Sequence, residues 1–321
     1  MLSSLDQQEI RDLVSVIARE YNLTMIKYRF LSKAVSDVFR IDTTGGTLFL
    51  KVYPPGWRTV REIDAELDFV EYLAHRGLGV AIPVVRSNGS RFIPLTLSLS
   101  ERYAVLFDNA GDKRVNYNES KGRMAFGKTL GKFHILAAEF PQRLNRPQLS
   151  IETLTREPWQ AVVDGGYLSH GRREDWEFIG QSVERVYREL DALSTHLPAQ
   201  QLIHGDARNI NSRMRNGDEV TLFDFDLCGY GWPAYDIATF MVDFPKDWLR
   251  DYLASYQSER VLTAYEYRAL PFFEAARNIW QLGLRARIAS DTGNSAFFND
   301  RDMVHSICEN IEKALVRDMA L

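Results

Sequence analysis

Apolar residues in the first third of the chain recur mostly with period two, and in the remaining two thirds mostly with the period of an α-helix. That switch admits few architectures: a small sheet built early, then a mainly helical body. Leu5, Ile10, Leu13, Val14 and Ile17 follow helical spacing, with Ser3 or Ser4 available as cap. After Tyr21 come strand-like segments near 25–31, 35–42, 47–53, 91–99 and 102–107. Thr43-Thr44-Gly45-Gly46, Pro54-Pro55-Gly56 and Asn88-Gly89 separate them with turn chemistry. One helix, from about Thr59 to His75 and ended by Gly77, is inserted after the third strand.

The polar stretch 108–118 shows no periodicity and is expected to link a first domain, 1–107, to a second, 119–321. Helices are expected there over 119–140, 173–196, 233–243, 246–258, 263–288 and 301–319, and Thr263 with Glu266 has capping-box spacing. A short β insertion, Leu202-Ile203 and Val220 to Phe225, is turned by Asn216-Gly217. The fold class is α+β.

Composition narrows the setting. The 321 residues are 45% hydrophobic and 26% charged with net charge -4, which argues against disorder and against a basic footprint for nucleic acid. Cys228 and Cys308, the two cysteines, fit a reducing compartment and exclude a cysteine-rich zinc module. No secretory signal pattern and no membrane-length apolar run occur, so a cytoplasmic protein without membrane association is expected.

The chemistry concentrates in QLIHGDARNINSRMRNGDEVTLFDFDLCGYGWPAYDIA. Asp206 and Asp224 each follow a short apolar strand, and Asn211 lies five residues after Asp206. Strand ends bring side chains to the rim of a sheet, where two aspartates and an asparagine oxygen suit a hard cation such as Mg²⁺. Taken singly, each aspartate reads rather as a solvated turn residue; it is the two together that point to a metal-phosphate site. An aspartyl-phosphate phosphatase also begins with Asp-x-Asp after a strand, but Leu227 and Cys228 stand where it needs a small hydroxylated residue.

A second clue lies in the first domain, where Lys51 interrupts the apolar run Leu48-Phe49-Leu50-Lys51-Val52-Tyr53. On the helix of 59–75, Glu66 projects from a face formed by Ile63, Leu67, Phe69, Val70 and Leu73. A carboxylate there is costly unless paired, and Lys51 is the candidate partner. The alternatives are an edge-strand lysine and an exposed glutamate on a shifted helix.

A paired Lys and Glu beside an Asp…Asn…Asp set is the arrangement phosphoryl transfer needs, because that reaction asks for positioning and charge neutralisation. The segments LFLKVYPPGWR, EIDAELDFVEYLAHRGLGVAIPV, RYAVLF, GKTLGKFH, HGDARNIN and FDFDLCGYGWPAYDIA resemble the aminoglycoside phosphotransferase/choline kinase family, over most of the chain. Within that family the sequence is similar to bacterial stress response kinases and to homoserine-kinase-like phosphotransferases. The resemblance implies a protein-kinase-like, two-lobed fold, with a small antiparallel sheet lobe and a larger, mainly helical lobe. It implies ATP and Mg²⁺, Asp206 as catalytic base, Asn211 and Asp224 as metal ligands, and Lys51 with Glu66 positioning phosphate. Leu106, Phe107 and Asn109 would belong to the hinge that meets adenine, and His204 and Asp236 would brace the catalytic loop.

Three departures are visible. The phosphate-loop segment 31–37 has no glycine, leaving Ser36 as the donor. Arg208 and Ile210 replace the usual His and Gly of the catalytic loop, and Asn209 competes with Asn211 as ligand. Asp226 stands where many kinases carry glycine. Tyr230, Trp232, Tyr235, Asp243, Glu274 and Trp280 fall on segments expected near an acceptor cleft, although aromatics at helical spacing also read as core. The acceptor expected is a hydroxyl-bearing, amine-bearing small molecule. The competing expectations are a Ser/Thr protein kinase and a nucleotide-binding pseudokinase.

Overall fold

The computed structural model describes residues 5–33, 35–98, 100–215, 219–293 and 295–316. They fall into two compact units. The first is the chain up to Arg114 with Phe140–Asn145 and Ser212–Phe223; the second is Val115–Glu139, Arg146–Asn211 and the chain from Asp224 onward.

The first unit opens with α1 (Gln7–Glu20), capped by Asp6 in a capping box with Glu9. Asp6 takes the role expected of Ser3 or Ser4, which lie outside the described residues. Strands β1 (Met25–Lys33), β2 (Asp37–Thr43), β3 (Gly46–Val52), β4 (Phe92–Leu97) and β5 (Ser100–Phe107) form one antiparallel sheet in the order β1-β2-β3-β5-β4. Edge strand β1 carries two register breaks, and edge strand β4 contains Pro94.

Strand alternation divides the side chains between the two faces. Phe39, Ile41, Leu50, Val52, Ala104 and Leu106 pack with Leu13 and Ile17 of α1. Tyr53 and Val105 pack with Ile63 and Leu67 of α2 (Val60–His75). Lys51 shares the alternation of Tyr53 and is therefore directed to the α2 face. Burying each large aliphatic side chain contributes roughly 1.5–3 kcal/mol, so the two clusters hold both helices to the sheet.

The expected β insertion proves to be two separate pairings. Ser212–Arg215 pairs with Glu219–Leu222, and Leu222 bridges to Val80, all within the first unit. Gln201–Ile203 pairs instead with Gly229–Gly231, in the second unit. The later strand stops at Leu222, short of the expected Phe225, and Phe225–Leu227 turns into a 3-10 helix. Asn216-Gly217 lies outside the described residues.

The second unit contains α3 (Ser120–Ala138), α4 (Ile151–Leu154), α5 (Arg156–Asp164), α6 (Arg173–Ser194), α7 (Pro233–Met241) and α8 (Lys246–Gln257). It ends with α9 (Ala264–Thr292), α10 (Ala296–Asn299) and α11 (Arg301–Leu315). Helix α9 is the central element, packing on α5, α6, α7 and α11, and it opens with the Thr263–Glu266 capping box. Helices α4 and α5 were not legible, because Thr155 breaks the run into pieces of four and nine residues. Pro158 is tolerated there because it sits in the first turn of α5, where no intrahelical donor is lost. No described helix is long and apolar enough to cross a membrane.

Helices α3 and α8 approach closely because α3 presents Gly127. A Cβ at that position would lie 2.3 Å from the Tyr252 carbonyl oxygen. Beneath this contact His134 is fully buried, its Nδ1 2.8 Å from the Tyr256 hydroxyl and its Nε2 3.2 Å from Asp236 Oδ2. Burial pushes the His134 pKa below its ordinary 6.5, outweighing the attraction of Asp236. The imidazole is therefore neutral, accepting from Tyr256 at Nδ1 and donating to Asp236 from Nε2.

Two outcomes are expected. Gly127→Ala should lower the unfolding free energy by about 1–3 kcal/mol in a denaturant titration, despite alanine's better helix propensity. The unfolded chain binds a proton at His134 below about pH 6.5 that the folded chain resists, so stability should fall as pH drops below that value. Comparing the parent with His134→Gln by denaturant titration between pH 7.5 and 5.5 checks this: the variant's slope should be shallower.

Candidate active site

Lys51 and Glu66 are both buried, and Lys51 Nζ lies 3.8 Å from Glu66 Oε1. Two further contacts fix the pair. Tyr53 donates its hydroxyl to Glu66 Oε2 at 3.2 Å, and the ammonium sits 4.7 Å from the centre of the Tyr53 ring. Glu66 is 1% exposed, and burying a carboxylate this deeply is costly without such partners.

Ser36, just before β2, is buried, and its hydroxyl has no hydrogen-bond partner among the described residues. At the end of β5, the Leu106 carbonyl accepts from Val84 N–H at 2.7 Å, and Asp108 N–H donates to Ile82 at 3.0 Å. Asn109 turns the chain locally: its Oδ1 accepts from Gly111 N–H at 3.0 Å, and its Nδ2 donates to Asp112 at 2.9 Å. Lys51, Glu66, Ser36, Leu106, Phe107 and Asn109 all belong to the first unit.

Asp206, Asn211 and Asp224 belong to the second unit. The loop after Gln201–Ile203 is shaped by Asp236 near the start of α7. Its buried carboxylate accepts from the backbone N–H groups of His204, at 2.7 Å, and Gly205, at 2.8 Å. Gly205 has φ +74°, and a Cβ there would lie 2.2 Å from the Leu227 carbonyl oxygen, so both conformation and space demand glycine. His204 Nδ1 accepts from Asp206 N–H at 3.3 Å.

The structure joins Asp206 and Asn211 directly. Asn211 Nδ2 donates to the Asp206 carbonyl at 3.0 Å and to Asp206 Oδ2 at 2.8 Å. These bonds commit the amide nitrogen and leave Oδ1 as the available oxygen donor. Asp224 is exposed, on left-handed backbone with φ 62° and ψ 64°. A non-glycine residue in that region carries strain that the surrounding structure must sustain. Arg146 is one support, donating to the carbonyls of Cys228 at 2.8 Å, Phe225 at 3.4 Å and Asp226.

An amide oxygen and an exposed carboxylate, with neither sulfur nor imidazole, form a hard donor set that fits Mg²⁺. Among the described residues no cluster of three or more His, Cys, Asp or Glu side chains could hold a metal ion. Mg²⁺ held by one or two protein groups together with substrate phosphates requires no such cage.

Arg208 is not a free surface residue. Its Nε and Nη2 reach Asp243 at 3.0 and 2.7 Å in a bidentate pair. Asp243 also lines a cleft of about 580 Å³ with Phe244, Lys246, Glu274 and Asn278. Tyr235 is buried between α7 and α9, stacking edge-on with Phe273, while the Trp280 ring lies under the Arg277 guanidinium.

Three participants were missed from sequence: His134, Arg146 and Arg277. Arg277 Nη2 donates to Asp206 Oδ1. Its signal was present, an arginine inside the apolar run FFEAARNIW, at a spacing that puts Glu274, Arg277 and Asn278 on one face of α9.

The family model described as "Phosphotransferase enzyme family" matches residues 27–272. The chain is 28% identical over 268 residues to a homoserine kinase of Rhizobium rhizogenes, covering 78% of each chain. It superposes on a microcompartment-associated aminopropanol kinase with TM-score 0.73 and 20% identity, covering 95% of both chains. It also superposes on amicoumacin kinase hAmiN, in complex with AMP-PNP, Ca²⁺ and Ami, with TM-score 0.72 and 19% identity over 96% of both chains. The protein-kinase-like fold, the match over most of the chain and the residues gathered at the loop lead to one assignment: the chain belongs to the phosphotransferase enzyme family and transfers phosphate to a hydroxyl group.

Proposed function

We propose that the protein transfers the γ-phosphoryl group of ATP to a hydroxyl of a small, amine-bearing molecule. The observation that carries this reading is the cleft of about 580 Å³ in the helical unit, lined by Asp243 and Glu274, by Lys246 and Lys313, and by the amides of Asn278 and Asn310. Through the Arg208–Asp243 pair it connects to the loop of Asp206. Side chains of both charge signs together with two amides suit a small polar acceptor that carries its own charged and hydrogen-bonding groups. The kinases of homoserine and aminopropanol among the similar proteins support the same class of acceptor.

In this reading the acceptor hydroxyl donates to Asp206 and loses its proton to that carboxylate as its oxygen bonds to the γ-phosphorus. The bond from that phosphorus to the bridging oxygen breaks, and ADP leaves. Lys51, braced by Glu66 and Tyr53, holds the α- and β-phosphates. Ser36 offers its buried hydroxyl to phosphate. Phe107 and Asn109 meet the base, whereas the Leu106 carbonyl is already used by Val84. Asn211 Oδ1 and Asp224 would hold Mg²⁺, which when bound neutralises phosphate charge. The AMP-PNP and Ca²⁺ of the amicoumacin kinase complex, standing in for ATP and the metal, support both ligands.

A protein acceptor is the weaker reading. The chain between Asp224 and Asp236 folds at once into the turn Phe225–Leu227, the strand Gly229–Gly231 and the start of α7. No extended activation segment remains there to dock a polypeptide.

Mg²⁺-dependent consumption of ATP, measured with a panel of amino alcohols, hydroxyamino acids, aminoglycosides and a generic protein substrate, tests the proposal. Turnover confined to the protein substrate would overturn it. Asp206→Asn should lower kcat by about 10²–10⁴-fold with the best acceptor. Mg²⁺ with ATP at a hundred times its Kd should raise the unfolding free energy by about 2.7 kcal/mol, read by thermal shift. Lys51→Met and Glu66→Gln should each reduce kcat/KM for ATP by about 10²-fold, in initial-rate kinetics at saturating acceptor.

A further inference from the structure

Helix α9 carries an unusual stripe. Glu274, Arg277 and Asn278 are 3%, 3% and 1% exposed, in the middle of a helix that also buries Ala269, Leu270, Phe273, Ala276 and Ile279. Burying a guanidinium is expensive, and a buried ion pair is seldom more stable than a well-packed apolar substitute. Arg277 is therefore poorly explained as a packing residue. Its Nη2 donates to Asp206 Oδ1, and its Cζ lies 4.6 Å from the centre of the Trp280 ring. Its Nε and Nη1 have no hydrogen-bond partner among the described residues. The side chain is thus held by an aromatic face and spends its one strong bond on Asp206.

Both carboxylate oxygens of Asp206 are then spoken for. Oδ1 receives Arg277 and Oδ2 receives Asn211, two donors from elements far apart in sequence. A carboxylate gripped at both oxygens cannot rotate about its terminal torsion, which is otherwise broad. Each oxygen still has a second lone-pair site for an acceptor hydroxyl.

We infer that Arg277 is a positioning residue for phosphoryl transfer: it fixes the orientation of the Asp206 carboxylate from the side opposite Asn211. This rests on Asp206 being the group that takes the acceptor's proton. Arg277 contacts neither nucleotide nor acceptor in this account and acts through Asp206. Its loss should therefore appear in kcat and leave the KM for ATP in place, because a 1 Å misplacement of a reacting group alone is worth about 10²-fold in rate.

Steady-state kinetics of Arg277→Met and Arg277→Lys, beside the parent, test this with ATP, Mg²⁺ and the best acceptor. Arg277→Met should lose about 10²-fold in kcat with the KM for ATP within about twofold. Arg277→Lys, which keeps a donor and a charge, should recover at least a tenth of the parental kcat. Parental kcat in Arg277→Met would overturn the inference, as would a loss carried wholly by the KM for ATP. Should Arg277→Met fail to fold, Arg277→Lys and Arg277→Leu decide: equal kcat in these two variants, only the first of which keeps a donor, each melting near the parent, would refute a role that depends on the donor to Asp206. The proposed function fails separately, and visibly, if the parent itself shows no Mg²⁺-dependent turnover while Mg²⁺ and ATP give no thermal shift.

Discussion

The helical unit is organised around one carboxylate, that of Asp236. Buried in the first turn of α7, it accepts two consecutive backbone N–H groups of the loop His204-Gly205 and receives a third bond from His134. Desolvating an aspartate to this degree is tolerable only with such full satisfaction. The arrangement ties α3, α7 and the strand Gln201–Ile203 to one point. Everything downstream inherits that fix: the left-handed Gly205, the N–H of Asp206 on His204, and the two bonds from Asn211. The loop's conformation is set by the protein's own dipoles before any ligand arrives.

The sheet unit solves a parallel problem by different means. Alternation along β3 sends Leu50 and Val52 to one face and Lys51 to the other, where α2 presents Glu66. Tyr53, two residues on, closes the group from above and below, as hydroxyl donor to the carboxylate and as ring to the ammonium. A charged pair inside a small core is thereby oriented by residues from a single strand and its following helix.

Much of this could be read from the chain. The lysine inside an apolar strand and the glutamate inside an apolar helical face each break a local rule, and such conflicts mark functional or strained positions. The HGDARNIN and FDFD segments likewise stand out, as polar clusters directly after short apolar strands. What stayed hidden depends on tertiary partners. Arg277 and His134 lie in helical runs whose periodicity says only that they face inward, not what they meet. Arg146 serves three carbonyls more than seventy-five residues away, which no local pattern encodes. Helices α4 and α5 were lost because runs of four and nine residues are too short for a periodic signal. The pairing of Gln201–Ile203 with Gly229–Gly231, rather than with the nearer strand, turned on where the chain bends at Asp224.

The edges of the sheet have a consequence for how copies of this protein behave at high concentration. A strand added beside β4 would meet Pro94, which offers no N–H to a neighbour. One added beside β1 would face a ladder interrupted at Met25/Lys27 and again at Phe30/Ser32, with the cationic Lys27 and Arg29 along it. Neither rim is a good template for another polypeptide, although β1 also presents Ile26 and Tyr28 to solvent. The irregularities that spoil β1 as a ribbon thus guard the molecule against edge-to-edge self-assembly.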